Sequence, residues 1–270
     1  DLVIYAQQRL SPEEISHSFV FIKMKNMKPG MLLPLLFLIL NATAQTAINK
    51  SLPVTPGQKL QMNFDYPDLI KVKTWSKNEI RIEGTVSING GENDDSFELL
   101  TETGPNLIMI SSKIHNIKSL PQRIMVIKDG KKIVFKDKSD YRKYKEVNGG
   151  AFDVMSYGQE FEIRLEITIP ANMETHLESV YGMVEVSEFE APLTVVATYG
   201  GVDAALMEKN VGELKVETNY GEIYSNLNSK LEGSKIDRDF YTYVSGKLGQ
   251  GPPYSFESKY GNVYLRKRGQ

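Results

Sequence analysis

From residue 52 onward the chain alternates apolar and polar side chains with period two. The stretch "KLQMNF" (59–64) sets Leu60, Met62 and Phe64 on one side, and "LIKVKTW" (69–75) does the same with Ile70 and Val72. In "EIRIEGTVSI" (79–88) the apolar positions are Ile80, Ile82, Val86 and Ile88; in "EFEIRLEITIPANM" they are Phe161, Ile163, Leu165, Ile167 and Ile169. Successive side chains of a strand point to opposite faces, so this pattern predicts short, half-buried strands. Pro170 ends the last of them because it cannot donate to a ladder. "SFELLTET" and "NLIMISS" read as two more strands separated by Gly104-Pro105. No segment carries a long apolar helical period. The predicted class is all-β.

Residues 115–158 break the rhythm. "RIMVIKDGKKIVF" (123–135) predicts a hairpin turning at Asp129-Gly130. "KDKSDYRKYKEVNGG" after it is polar and basic and reads as a mobile loop.

A repeat then appears. "SVYGMVEV", "ATYGGVDA", "TNYGEIYS" and "SKYGNVYL" each write Tyr-Gly, one residue, then an aliphatic. The tyrosines are Tyr181, Tyr199, Tyr220 and Tyr260, at spacings of 18, 21 and 40 residues. The last gap is close to two periods, with "FYTYVSGKLGQG" (240–251) expected as a degenerate unit between. A period near 20 residues implies one small unit repeated, each burying its apolar face by stacking on the next. The glycines Gly182, Gly200, Gly221 and Gly261 fall at the corners, where positive φ or close backbone approach favours Gly. Val184, Val202, Ile223 and Val263 are expected to point inward and the tyrosines outward. Equivalent tyrosines would then stack up one corner at about the 4.8 Å strand spacing. This predicts a right-handed parallel β-solenoid with coils of about 20 residues. A β-sandwich is the alternative, and parallel pairing of successive Tyr-Gly strands would count against it.

"WSKNEIRIEG", "LEITIPANMETHLESVYGMVEV", "ATYGGVDA", "ETNYGEIYSNL" and "FESKYGNVYLRK" together resemble the putative-adhesin family, over roughly residues 52–267. The resemblance implies a bacterial envelope β-solenoid and carries over no catalytic residue. It is strongest from residue 160 on, and the basic stretch 115–158 departs from its pattern.

The N-terminal region adds a compartment. In residues 24–44, "MKNMKPGMLLPLLFLILNATA", Lys25 and Lys28 precede an apolar run from Met31 to Leu40, and "ATA" (42–44) is a small-x-small cleavage site. This pattern predicts a secretory signal peptide and a mature start at Gln45. The apolar run is too short to span a membrane, which takes about 20 residues. Residues 1–23 read as an over-extended start, with translation beginning at Met24 or Met27. The mature chain then divides into an N-terminal β region, 45–158, with a basic insertion at 115–158, and C-terminal repeats over 159–270. Export places it in the periplasm or at the cell surface of a Gram-negative bacterium, with no transmembrane span in the mature chain.

Composition mostly removes options. There is no Cys, which excludes thiol catalysis, cysteine metal sites and a lipobox anchor. The net charge of −2 gives no reason to expect nucleic acid. It is unevenly placed: residues 118–146 hold ten Lys/Arg against four Asp/Glu, and residues 159–239 hold six against sixteen. Two solvated surfaces of opposite sign account for this, as does a basic patch for an acidic polymer.

Candidate chemistry is sparse. His17, His115 and His176 lack partners at zinc spacing. The acidic loop "NGGENDD" (89–95) lacks the alternate-position ligands of an EF-hand. Motifs for nucleophile elbows, P-loops and dinucleotide sites are missing, so no cofactor, metal or catalytic residue is expected. Were the chain a polysaccharide-acting enzyme, Asp203, Glu222, Asp237, Arg238 and Asp239 would be its groups. The expected role is non-catalytic, an adhesin-like binding or scaffold protein. Its partner would be an envelope polysaccharide or another envelope protein, with Tyr181, Tyr199, Tyr220 and Tyr260 as the speculative ligand-binding strip.

Overall fold

The computed structural model describes residues 45–187, 189–234 and 240–268. The predicted signal peptide, 24–44, and the residues before it lie outside these. The N-terminal part forms β1 (Thr46–Pro53), β2 (Lys59–Phe64), β3 (Leu69–Trp75), β4 (Glu79–Ile88), β5 (Phe97–Thr103) and β6 (Leu107–Ile114). An insertion adds β7 (Arg123–Lys128), β8 (Lys131–Phe135), α1 (Lys138–Asn148) and β9 (Val154–Gly158). Then follow β10 (Phe161–Pro170), β11 (Thr175–Ser179), β12 (Met183–Ser187), β13 (Leu193–Ala197), β14 (Val202–Leu206) and β15 (Glu213–Thr218). The last strands are β16 (Ile223–Ser225), β17 (Glu232–Ser234), β18 (Thr242–Lys247), β19 (Tyr254–Ser258) and β20 (Val263–Lys267).

Two large sheets bury their inner faces in one shared core. The eight-stranded sheet runs β1-β4-β10-β3-β12-β14-β20-β16, and the nine-stranded sheet runs β17-β18-β15-β19-β13-β11-β2-β6-β5. Alternation decides which residues enter the core. Ile70, Val184, Val202 and Val263 line up in register across β3, β12, β14 and β20 and are fully buried. Ile223 joins the same row but stays half-buried, because β16 is an edge strand. Opposite them, Met62, Leu177, Val195, Phe256 and Val216 form a row in the nine-stranded sheet. Each such side chain contributes about 1.5–3 kcal/mol by leaving water. Tyr254 lies in this core as well. Its hydroxyl donates to the Phe189 carbonyl at 2.6 Å, and burial pushes its pKa up.

The Tyr-Gly strands pair in parallel, β12 with β14, β14 with β20 and β16 with β20. This is not the antiparallel pairing of a sandwich. The sheets are mixed, however, rather than uniformly parallel: β1–β4, β4–β10, β5–β6, β15–β18 and β17–β18 are antiparallel. Two expectations are corrected. Residues 240–251 are not a degenerate unit, since β18 is an antiparallel neighbour of β15. Nor do the units stack in chain order. The last pair, β19 and β20, inserts between the second unit (β13, β14) and the third (β15, β16). A fifth unit, β2 and β3, precedes the first in both sheets and turns at Tyr66-Pro67 rather than Tyr-Gly.

The insertion is a three-stranded sheet, β8-β7-β9, with its own small core of Ile124, Val126 and Phe135. The hairpin turns at Asp129 (φ 52°) and Gly130 (φ 71°), the left-handed pair that a two-residue loop requires. The expected mobile loop is instead α1. Asp137 caps it, accepting from Ser139 N at 2.6 Å and Asp140 N at 3.0 Å, and Tyr141 and Tyr144 pack against Phe135. Arg123, buried, ties the insertion to the loop after β4 through Glu92 at 2.7 Å.

Because β19 is central, Phe256→Ala is expected to lower stability by about 3–5 kcal/mol. Ile223→Ala on the edge strand should cost clearly less. Denaturant midpoints of the two variants check this; equal losses would contradict the central placement.

Candidate functional site: a stacked tyrosine ladder

Four of the five units cross from the nine-stranded to the eight-stranded sheet at a Tyr-Gly corner, and the fifth crosses at Tyr66-Pro67. The corners are tied rung to rung by backbone bonds. Tyr181 N donates to Asp65 O (3.2 Å), Tyr199 N to Val180 O (2.7 Å), Tyr260 N to Thr198 O (2.9 Å) and Tyr220 N to Lys259 O (3.0 Å). The ladder therefore climbs 66, 181, 199, 260, 220, following space and not sequence.

The glycines are required by proximity. A Cβ on Gly200 would sit 1.9 Å from Gly182 O, one on Gly221 1.9 Å from Gly261 O, and one on Gly261 2.1 Å from Gly200 O. None of the four corner glycines has positive φ, so the close approach of the next backbone alone excludes a side chain. Three residues before Gly, a buried hydroxyl closes the corner. Ser258 Oγ donates to Gly200 O (2.8 Å) and accepts from Gly261 N (2.9 Å); Thr218 Oγ1 donates to Gly261 O (3.0 Å) and accepts from Gly221 N (3.0 Å). Ser179 Oγ reaches its own unit's Gly182 O at 3.3 Å. Sequence reading missed this row, although Ser or Thr three residues before Gly recurs in three of the four units.

The tyrosines stand outward, with Tyr181 56%, Tyr199 55%, Tyr220 58% and Tyr260 44% exposed. Ring centroids are 5.3 Å apart for Tyr181–Tyr199, 5.0 Å for Tyr199–Tyr260 and 5.1 Å for Tyr260–Tyr220, with planes within 12° of parallel. Tyr66 extends the stack at one end (5.9 Å) and Phe240 at the other (5.4 Å). Lys259 Nζ lies 5.7 Å from the Tyr260 centroid. The inner rings thus spend both faces on one another. What remains for solvent is a strip of ring edges and hydroxyls at a 5 Å period.

Among the described residues, the carboxylates considered for chemistry, Asp203 and Glu222, do not converge. Asp203 lies on the outer face of β14, mostly covered and ion-paired with Arg266. Glu185–Lys71 (3.2 Å) and Glu166–Lys73 (4.0 Å) continue the same charged row beside a shallow depression of about 480 Å³. Glu222 is exposed one outward position before Tyr224, with all of β20 between its strand and Asp203's. Asp237, Arg238 and Asp239 lie outside the described residues. His115, in the turn after β6, and His176, on β11, do have exposed carboxylate partners, Glu98 at 2.6 Å and Glu178 at 2.8 Å. In the acidic loop the Asp94 carboxylate is taken up by Ile88 N (2.6 Å) and Thr46 N (3.2 Å). Among the described residues no helix is long and apolar enough to cross a membrane.

No protein-family model matches the chain, and no curated protein does either. Two solved structures are similar over most of its length. One is a putative cell adhesion protein from Clostridium sporogenes, 9% identical with a TM-score of 0.44, over 83% of this chain and 100% of that one. The other is a putative adhesin from Bacteroides fragilis, 11% identical with a TM-score of 0.29, over 84% of this chain and 99% of that one.

On the outer face of the nine-stranded sheet, Glu217 and Glu257 are direct neighbours across β15 and β19. Burial, then repulsion from Glu217, raises the Glu257 carboxyl above the usual range, while Lys259 opposes the rise. Tyr241 donates to Glu217, and that bond pushes the phenol up to about 12.

Two predictions follow from this surface and its corners. Gly200→Ala is expected to abolish cooperative folding or lower the melting temperature sharply, whereas Tyr199→Phe, which keeps the stack, should melt near the parent. For Glu257, the folded chain holds the proton more tightly than the unfolded chain. Its ionisation therefore weighs against folding at neutral pH, and the penalty fades as pH falls through the raised folded value. Glu257→Gln should melt higher than the parent at neutral pH, with the gap closing in acid; an unchanged gap would contradict the shift.

Proposed function

We propose that the protein is an exported, non-catalytic cell-envelope protein with an adhesin-like binding or scaffold role, resembling the putative-adhesin family. Its five parallel-paired units form a solenoid segment, with coils of about 20 residues. The observation that supports this reading most is the ladder. Rings that use their faces on one another, over corners where backbones touch, make a stiff, regular edge suited to holding a long surface in shape. The signal-peptide pattern and the cysteine-free composition fit the periplasm or the cell surface of a Gram-negative bacterium. The partner that suits an extended, repeating surface is an envelope polysaccharide or another envelope protein.

A second reading makes Tyr181, Tyr199, Tyr220 and Tyr260 a carbohydrate-binding strip. It is favoured by their half-exposed edges and evenly spaced hydroxyls, although sugars usually stack on ring faces, and the inner faces are occupied. A polysaccharide-acting enzyme is the least supported reading, because Asp203 is neutralised by Arg266 and stands apart from Glu222.

A glycan array and a cell-wall pull-down with the parent and Tyr199→Phe separate these readings. A scaffold spine predicts that Tyr199→Phe retains whatever the parent retains. Loss of specific retention with an unchanged melting temperature would place binding on the hydroxyl row and replace the first reading with the second.

A further inference from the structure

At the end of the units opposite the ladder, segments far apart in sequence meet around an open depression of about 700 Å³. They are the turn after β14, the loop after β16, the loop after β18 and the end of β20. One carboxylate organises the place. Glu208 accepts from Asn228 N (2.8 Å), Ser229 N (2.8 Å) and Ser229 Oγ (2.5 Å). These bonds, led by the Ser229 hydroxyl, hold its carboxyl below the usual range. Gly249 is pressed against the other side, where a Cβ would lie 2.6 Å from Lys209 O.

The charge at this site is unbalanced. Lys209 and Lys267 line the depression together with the single carboxylate Glu208, whose carboxyl Lys267 helps to hold low. The Glu208 oxygens are already committed to three donors, and neither Lys209 nor Lys267 closes an ion pair within 4.0 Å among the described residues. Two lysines against one carboxylate make this a cationic opening. Half-buried Met207 and Leu248 give it an apolar wall, and the side chains of Asn228 and Gln250 add amide donors and acceptors. A volume of this order accommodates a small ligand. Two ammonium groups, an apolar wall and flanking amides suit a ring that carries both hydroxyls and a negative charge.

We propose that this depression binds a uronate-type anionic saccharide unit, with Lys209 and Lys267 receiving its carboxylate and Met207 and Leu248 lying against the sugar ring. The inference rests on the binding role proposed above but not on the ladder.

The test is calorimetric titration of the protein with an oligogalacturonate and with the matching uncharged galactose oligomer. The oligogalacturonate should bind, more weakly as salt rises, and the uncharged oligomer should not. Lys209→Gln with Lys267→Gln should weaken binding by about tenfold, close to 1.4 kcal/mol, without changing the melting temperature. A control carrying the same charge change on the insertion, Lys131→Gln with Lys138→Gln, should bind like the parent. Equal binding of both oligomers, equal loss in the control pair, or displacement of the oligomer by equimolar inorganic phosphate would overturn the proposal. If the protein fails on the oligogalacturonate but retains another glycan in the array, this site is wrong and the binding role stands. Retention of no saccharide removes both the site and the polysaccharide partner.

Discussion

The whole arrangement depends on how closely neighbouring backbones approach at the corners. With Gly200 directly over Gly182, and Gly221 over Gly261, the carbonyl of one unit occupies the space where the next would carry a side chain. That contact lets hydrogen bonding continue around the bend instead of stopping at the end of each sheet. The rings stack because the corners do: an outward residue placed before each glycine inherits the strand spacing. The buried Ser and Thr row follows from the same constraint, since corner carbonyls and amides held away from water need a partner. Packing, polar satisfaction and ring geometry are three consequences of one steric condition.

Much of this was legible in the sequence. Period-two alternation located the strands, and the inward residues at Val184, Val202 and Val263 are where alternation put them. Asp129-Gly130 announced its hairpin, because left-handed turn positions carry a local signature. The outward stance of Tyr181, Tyr199, Tyr220 and Tyr260 came from the same parity argument.

What was hidden is non-local or weakly marked. Spatial order among the units is set by pairing between segments far apart in sequence, and nothing within "SKYGNVYL" says that it lies between its two predecessors. The Tyr66-Pro67 corner was missed because Pro stands at the end of the glycine series, where the Tyr-Gly signature stops. Helix α1 has almost no apolar period to read: two tyrosines dock, the rest of its surface is solvated, and its evidence was the capping pair Asp137 and Gly149. The depression around Glu208 draws on segments whose proximity only the fold creates, so Lys209 and Lys267 read as ordinary surface charge.

Insertion of β19 and β20 between older neighbours has a consequence in time. A chain that emerges amino terminus first pairs β13 with β11 and β14 with β12 long before the partners of their other edges exist. Until β19 and β20 are made, those strands each present one bare edge, and β15 with β16 has no bonded place beside them in either sheet. Self-association is the hazard of such an interval, and early pairing of β13 with β15 would be a trap that must reopen. A chain cut before β19 lacks the middle of its core, and the strands on either side of the gap keep unpaired edges.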